Sequence, residues 1–242
     1  MMVENYYQNG NYEKSEQLLK KFNKNDDLYY WYKIKKKSKL ILKKNGDLKS
    51  FNYINSNFKK IKNPPINILF DMANIAKGFE KYKIAISYYD KILTKIDNSS
   101  AVYPNILYRR GGSLERLGQY KKSDLDLIQS LEINPNNAYV LNYLAYSWLE
   151  RNYKIDEAIK MLERAYRIES NDPFILDSVG WAYYLINDLT NAEIFIRRAI
   201  KLMPEDPIVN DHYGDILWKM NRKLEATYYW KSILYFDDAE ES

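Results

Sequence analysis

The sequence predicts an all-α chain, a solenoid of antiparallel helix pairs. Three observations carry this reading. The 242 residues contain only 8 Gly and 7 Pro, too few for the many turns of an all-β protein. The prolines (Pro64, Pro65, Pro104, Pro135, Pro173, Pro204 and Pro207) separate stretches rich in helix formers. Proline is tolerated in the first turn of a helix and breaks its interior, so these residues mark joins between helical units. Small residues then recur at a fixed interval: Gly180 and Gly214, Ala158, Ala192 and Ala226, and Ala165 and Ala199 are each 34 apart. A fixed period of this length marks a repeat architecture.

Each element follows in chain order. In residues 1–65, Asn9-Gly10-Asn11-Tyr12 reads as a hairpin turn, followed by Ser15, Leu19 and Phe22 on a second helix, and Asn45-Gly46-Asp47-Leu48 reads as another turn. Too few residues precede the first turn for a complete helix, so the chain is expected to begin inside a repeat and to be a fragment of a longer protein. Segment 66–103 places Leu69, Met72, Ala73, Tyr82, Ala85, Tyr89 and Ile92 in phase, before a longer linker at Asn98-Ser99-Ser100. Segment 104–137 carries Gly111, Leu114, the turn Leu117-Gly118-Gln119-Tyr120, and Ser123 and Ser130 as its small residues. Segment 138–172 has Ala145, Trp148, Ala158 and Ala165, with one extra residue expected in the turn near Tyr153. Segment 173–206 has Leu176, Val179, Gly180, Tyr183, Ala192, Ile196, Ala199 and Pro204. Segment 207–240 has Tyr213, Gly214, Leu217, Ala226, Trp230 and Ile233. The ladder counts about seven hairpins, the first incomplete. The expected organisation is a degenerate, Lys-rich region over 1–65 and a regular array over 66–242.

The pattern resembles the tetratricopeptide repeat, a helix–turn–helix unit with a bulky residue, Leu, Gly and Tyr in its first helix and Ala, a large residue and Ala in its second. The resemblance is clearest over 104–236 and weakest over 1–65. Helical pairs of about 40 residues would not give successive 34-residue spacings. The resemblance implies a right-handed superhelix. Its packing logic is steric: antiparallel helices approach closely only where small side chains meet, so Gly180 is expected to face Ala192, with Tyr183 and Ile196 filling the flanks. Gly180→Leu is then expected to overpack the crossing and unfold the local hairpin, at a cost of about 1–3 kcal/mol or more.

Composition excludes several chemistries. The chain has no Cys and one His, which removes thiol nucleophiles, zinc–thiolate sites and multi-His metal centres. A hydrophobic fraction of 46% is too high for a disordered chain. Neither a phosphate-cradling nor a dinucleotide-binding glycine motif is present. His212 with Asp211 and Asp215 is read as a solvated helix face carrying a neutral imidazole, and Asp124/Asp126 and Asp237/Asp238 as ordinary surface charges. Tyr120 and Tyr183 are assigned to packing. No enzyme activity, metal or cofactor is expected.

The family's first helices line a binding groove, and its pattern assigns this sequence's groove positions. These are Tyr108, Glu115 and Arg116, then Tyr139, Asn142, Tyr146 and Leu149. Phe174, Asp177, Trp181 and Tyr184 follow, and finally Asp211, Asp215, Trp218 and Lys219. An aromatic groove edged with carboxylates suits a protein or peptide ligand, because aromatics bury much area with few rotors. Family members that hold acidic chaperone tails place Lys where this chain has Tyr108, Asn142, Asp177 and Asp211. Such tails are therefore disfavoured.

Charge is asymmetric. Residues 1–65 carry 15 Lys, no Arg and 6 acidic residues, a net +9, which leaves −4 for the remainder of the total +5. The cluster Lys33, Lys35, Lys36, Lys37, Lys39, Lys43 and Lys44 supports an alternative function, attraction of nucleic acid or anionic membrane. The absence of Arg argues against specific phosphate recognition, and no specific nucleic acid is expected.

The runs Leu141-Asn142-Tyr143-Leu144-Ala145-Tyr146-Ser147, Asp177-Ser178-Val179-Gly180-Trp181-Ala182-Tyr183-Tyr184 and His212-Tyr213-Gly214-Asp215-Ile216-Leu217-Trp218 carry a narrower resemblance. They are similar to the C-terminal repeats of a group of proteobacterial tetratricopeptide proteins, with Ala145 replacing a Gly. Those proteins commonly carry an export or lipoprotein signal and act as adaptors in the cell envelope. The resemblance implies a bacterial scaffold, periplasmic or outer-membrane-associated, with a cytoplasmic location as the alternative.

Overall fold

The structure, a computed structural model, describes residue 6 and residues 9–20 and 27–236. Phe22, Asp237 and Asp238, and the side chain of Leu19, lie outside the described residues. Thirteen helices and no strand are found among the described residues: α1 (Tyr12–Lys20), α2 (Asp27–Asn45), α3 (Asp47–Phe58), α4 (Ile66–Gly78), α5 (Tyr82–Leu93), α6 (Tyr103–Arg116), α7 (Tyr120–Ile133), α8 (Ala138–Glu150), α9 (Ile155–Ile168), α10 (Pro173–Leu185), α11 (Leu189–Leu202), α12 (Pro207–Lys219) and α13 (Lys223–Phe236). The all-α repeat fold expected from the spacing is the fold observed.

One backbone device makes the hairpins. Gly46, Glu80, Gly118, Asn152, Asn187 and Asn221 all take a positive φ at the end of a first helix. In five of them the next residue's N–H reaches back to the carbonyl five residues earlier: Lys81 to Ala76, Gln119 to Leu114, Tyr153 to Trp148, Asp188 to Tyr183 and Arg222 to Leu217. This is the Schellman closure, which satisfies carbonyls that the helix end would otherwise leave unpaired. After Gly118, Asn187 and Asn221 the second helix starts two residues on, but after Asn152 it starts at Ile155. The extra residue expected near Tyr153 is there, with Lys154 also left-handed.

The next start signal is equally local. The side chains of Asn137, Asp172 and Asp206 accept hydrogen bonds from the first free N–H groups of α8, α10 and α12. Pro173 and Pro207 sit at the first helical position, where a missing N–H costs nothing.

The chain forms two compact units, 1–123 and 124–242. In the first unit α2 packs on α3 and α4 on α5. Trp31, Phe58 and Tyr88 meet edge to face there, at centroid distances of 5.5 and 5.0 Å. Tyr89 is fully buried and its hydroxyl donates to Asn74 Oδ1 at 2.8 Å, while burial pushes its phenol up to about 12. In the second unit α8/α9, α10/α11 and α12/α13 are hairpins, and each first helix also touches the next. Its core contains Leu176, Ala192, Ile196, Ala199, Val209, Tyr213 and Leu217. A methyl group on Gly180 would lie 2.6 Å from Ile196 Cγ1 and 3.2 Å from the Ala192 carbonyl, and one on Gly214 would run into Trp230. The small residues therefore sit at the helix crossings, as the steric argument requires.

Two packing assignments need correction. Tyr120 is exposed, because it opens α7 rather than closing a crossing. Asp126 is buried, and Asp124 is held by Arg151 at 2.8 Å, so this pair is not a free surface charge.

Candidate protein-binding face

The second unit presents its first helices, α8, α10 and α12, in succession. A capping side chain fixes the start of each, so the second helical residue holds the same position in all three. That residue is Tyr139, Phe174 and Ile208, and the three are 53, 59 and 57% exposed. Large apolar side chains left in water on three successive helices form a stripe rather than scattered exceptions.

Beside the stripe is a cavity of about 170 Å³ lined by Asn142, Tyr143, Tyr146, Phe174, Asp177, Ser178, Asp206, Ile208 and Val209. In its wall the Ser178 hydroxyl donates back to the Phe174 carbonyl, at 2.9 Å. Asn142 Oδ1 is buried there without a hydrogen-bond partner. A buried amide oxygen without a donor is costly.

Next to the cavity three rings stack. Trp181 lies on His212 at 4.1 Å and 14°, and on Tyr184 at 4.7 Å and 17°. Lys219 Nζ sits 4.4 Å from the Tyr184 ring centroid, a cation–π contact. The Trp181 indole N–H donates to Glu150 Oε1 at 3.0 Å, tying the stack to α8.

His212 corrects the sequence reading. It is 6% exposed, and its Nδ1 donates to Asp177 Oδ1 at 2.9 Å. Burial alone would lower the imidazole. The hydrogen bond and charge of Asp177, with Glu150 and Asp211 behind it, outweigh burial and leave the group above its ordinary value. Asp177 is therefore a buried partner of His212, not a free carboxylate at the groove edge. The two are 35 residues apart, one repeat plus one, and that spacing is the signal that could have joined them.

The other assigned residues divide clearly. Asn142, Tyr146, Phe174 and Asp177 meet around the cavity, and Trp181, Tyr184 and Lys219 form the stack and its cation. Asp211 is exposed and Asp215 half-buried. Burial, then the Asp211 charge, raise the Asp215 carboxyl, against the opposing pull of His212 and Trp230. Trp218 is 47% exposed, 5.5 Å from Trp230, with Lys223 over its ring. Leu149 is buried and offers no groove surface. Tyr108, Glu115 and Arg116 belong to the first unit, where the first two are half-buried and Arg116 is exposed, 3.8 Å from Glu115.

The lysine-rich α2 uses several of its cations internally. Lys35 pairs with Asp71 at 2.5 Å, Lys36 lies over Tyr32, and Lys37 lies over Tyr53. Burial, then the Lys39 charge, lower the Lys36 amine. Among the described residues no group of three or more His, Asp or Glu could hold a metal ion, and no helix is long and apolar enough to cross a membrane.

The tetratricopeptide repeat family model matches residues 104–137. A TPR repeat-containing protein of Pseudomonas aeruginosa is 30% identical over 129 residues, which cover 52% of this chain and 22% of that protein. The chain thus spans about a fifth of that relative's length. Among solved structures, a tetratricopeptide repeat protein from Parabacteroides merdae has a TM-score of 0.62 at 15% identity, covering 85% of this chain and 79% of that one. The Pseudomonas aeruginosa protein pilF has a TM-score of 0.60 at 17% identity, covering 71 and 76%. MamA from Desulfovibrio magneticus has a TM-score of 0.58 at 17% identity, covering 73 and 97%.

Proposed function

Because this chain is a tetratricopeptide repeat protein, an architecture that generally serves as a non-catalytic protein-interaction scaffold, we propose that it binds a partner protein on the first-helix face of its second unit. The observation that carries this reading is the exposed stripe Tyr139, Phe174 and Ile208 beside the cavity. The stripe provides apolar anchors and the cavity receives one side chain. The Tyr184–Trp181–His212 stack holds this face rigid, so little ordering entropy is lost on binding.

The cell envelope is the proposed place of action. It rests on the motif runs in α8, α10 and α12, which are similar to those of proteobacterial envelope adaptors. Fractionation of the source cells tests it, and recovery wholly in the cytosol would refute it.

A photo-crosslinking residue placed at Phe174, at Ile208 or at the exposed Ile194 on α11 tests the binding face. Adducts with the partner concentrated at Phe174 and Ile208 support the reading. Adducts confined to Ile194, or equal at all three, refute it.

A further inference from the structure

We propose that this face selects basic, apolar segments. Asp211 and Asp215 pair with the ligand's cation, and the cavity beside Phe174 and Ile208 takes its apolar side chain. The inference rests on the binding face proposed above and adds the class of ligand.

Residues 208, 211, 215 and 218 follow one another along a single face of α12. At a rise of about 1.5 Å per residue the carboxylates stand roughly 4.5 and 10.5 Å from Ile208, and Trp218 about 15 Å. The order along the helix is therefore apolar anchor, two acids, exposed indole. Among the described residues no lysine or arginine forms an ion pair with Asp211 or Asp215. The cations nearby are committed elsewhere: His212 to Asp177, Lys219 to the Tyr184 ring and Lys223 to the Trp218 ring.

Two like charges one turn apart, with no lysine or arginine paired to either, repel each other. Burial first, and the Asp211 charge second, raise the Asp215 carboxyl against the pull of His212 and Trp230. A cation brought between the two carboxylates relieves the repulsion, and an anion adds to it. An arginine suits the place best, since its planar head can pair with a carboxylate while lying against an indole. The cavity, at about 170 Å³, is of the size that admits a benzene ring. The chain as a whole carries +5, so general electrostatics repel a basic ligand, and any attraction must be local.

The test uses the full chain and three fluorescein-labelled octapeptides, alternating phenylalanine with arginine, glutamine or glutamate, read by fluorescence anisotropy. The arginine peptide is expected to bind about tenfold or more tighter than the glutamine peptide, with the glutamate peptide weakest. Asp211→Asn combined with Asp215→Asn should remove about tenfold of the arginine peptide's affinity, from two partly exposed pairs. It should also flatten the salt dependence, with a cooperative thermal melt showing that the variant is folded. If all three peptides bind equally and lose affinity on Phe174→Ala with Ile208→Ala, the preference for cations is wrong and the binding face stands. If no peptide binds, or if binding ignores Phe174→Ala with Ile208→Ala, both readings fall.

Discussion

Gly180→Ala adds a single methyl group at the crossing of α10 and α11. Its Cβ would stand 2.6 Å from Ile196 Cγ1, 2.9 Å from Cδ1 and 3.2 Å from the Ala192 carbonyl oxygen. Carbon–carbon contacts are optimal at about 3.5–4.0 Å, so the nearest is roughly 1 Å too short. Cδ1 can swing away, but Cγ1 is held close to the backbone, and Ile196 is fully buried. Overpacking of this kind costs about 1–3 kcal/mol. The gain in helix propensity from Gly to Ala returns up to about 1 kcal/mol. The expected net destabilisation is about 1–2 kcal/mol, a fall in Tm of about 2–8 °C, read by circular dichroism. Two comparisons isolate the cause. In an Ile196→Ala background, itself less stable, Gly180→Ala should become neutral or stabilising, a coupling that a double-mutant cycle measures. Gly78→Ala, at the exposed end of α4 with nothing within 4 Å of the added methyl, should raise stability by about 0.5–1 kcal/mol. Equal stabilisation by Gly180→Ala and Gly78→Ala in both backgrounds would refute the packing argument.

Further predictions concern charge and turns. His212 is the sole histidine, so its titration dominates the neutral range. Because its folded pKa lies above the unfolded value, its stabilising contribution is complete below about pH 6.5 and is lost as pH rises through the folded pKa. Melting from pH 6 to 9 should show that decline in the native chain, and His212→Gln should flatten it. A native curve with the opposite slope would contradict the Asp177 pairing. Glu80 occupies a left-handed position that costs a non-glycine residue about 1–2 kcal/mol, so Glu80→Gly should raise the Tm of the first unit. Asp206→Ala should cost about 1 kcal/mol in urea unfolding, through loss of the α12 cap. An acidic C-terminal peptide should show no micromolar binding by calorimetry, since Asp211 and Asp215 stand where an anion would have to sit.

The fold was legible because its determinants are local or strictly periodic. Gly180, Ala192 and Ile196 announce a helix crossing through size alone, and Gly46 and Gly118 announce turns through conformational freedom. The later turns were harder to see, since Asn152, Asn187 and Asn221 adopt the same left-handed geometry without glycine, and Glu80 adopts it with no sequence signal at all. The candidate face was legible as a set of positions but not as a set of contacts. Which helix position is wet depends on the neighbouring repeat. Read along its own helix, His212 looks solvated; it is buried because Trp181, 31 residues earlier, lies flat against it. Asp177 passed for a free carboxylate for the same reason. The cavity beside Ser178 has no signal along one helix, because residues of three helices line it.

The binding face itself can be tested by removing its anchors. Phe174 and Ile208 are exposed, so Phe174→Ala with Ile208→Ala should leave the melting temperature unchanged. Loss of two central apolar anchors typically costs more than about 1 kcal/mol each. The account predicts that affinity for the crosslinked partner, measured by surface plasmon resonance, falls at least about tenfold. Undiminished affinity in a folded double variant would contradict it.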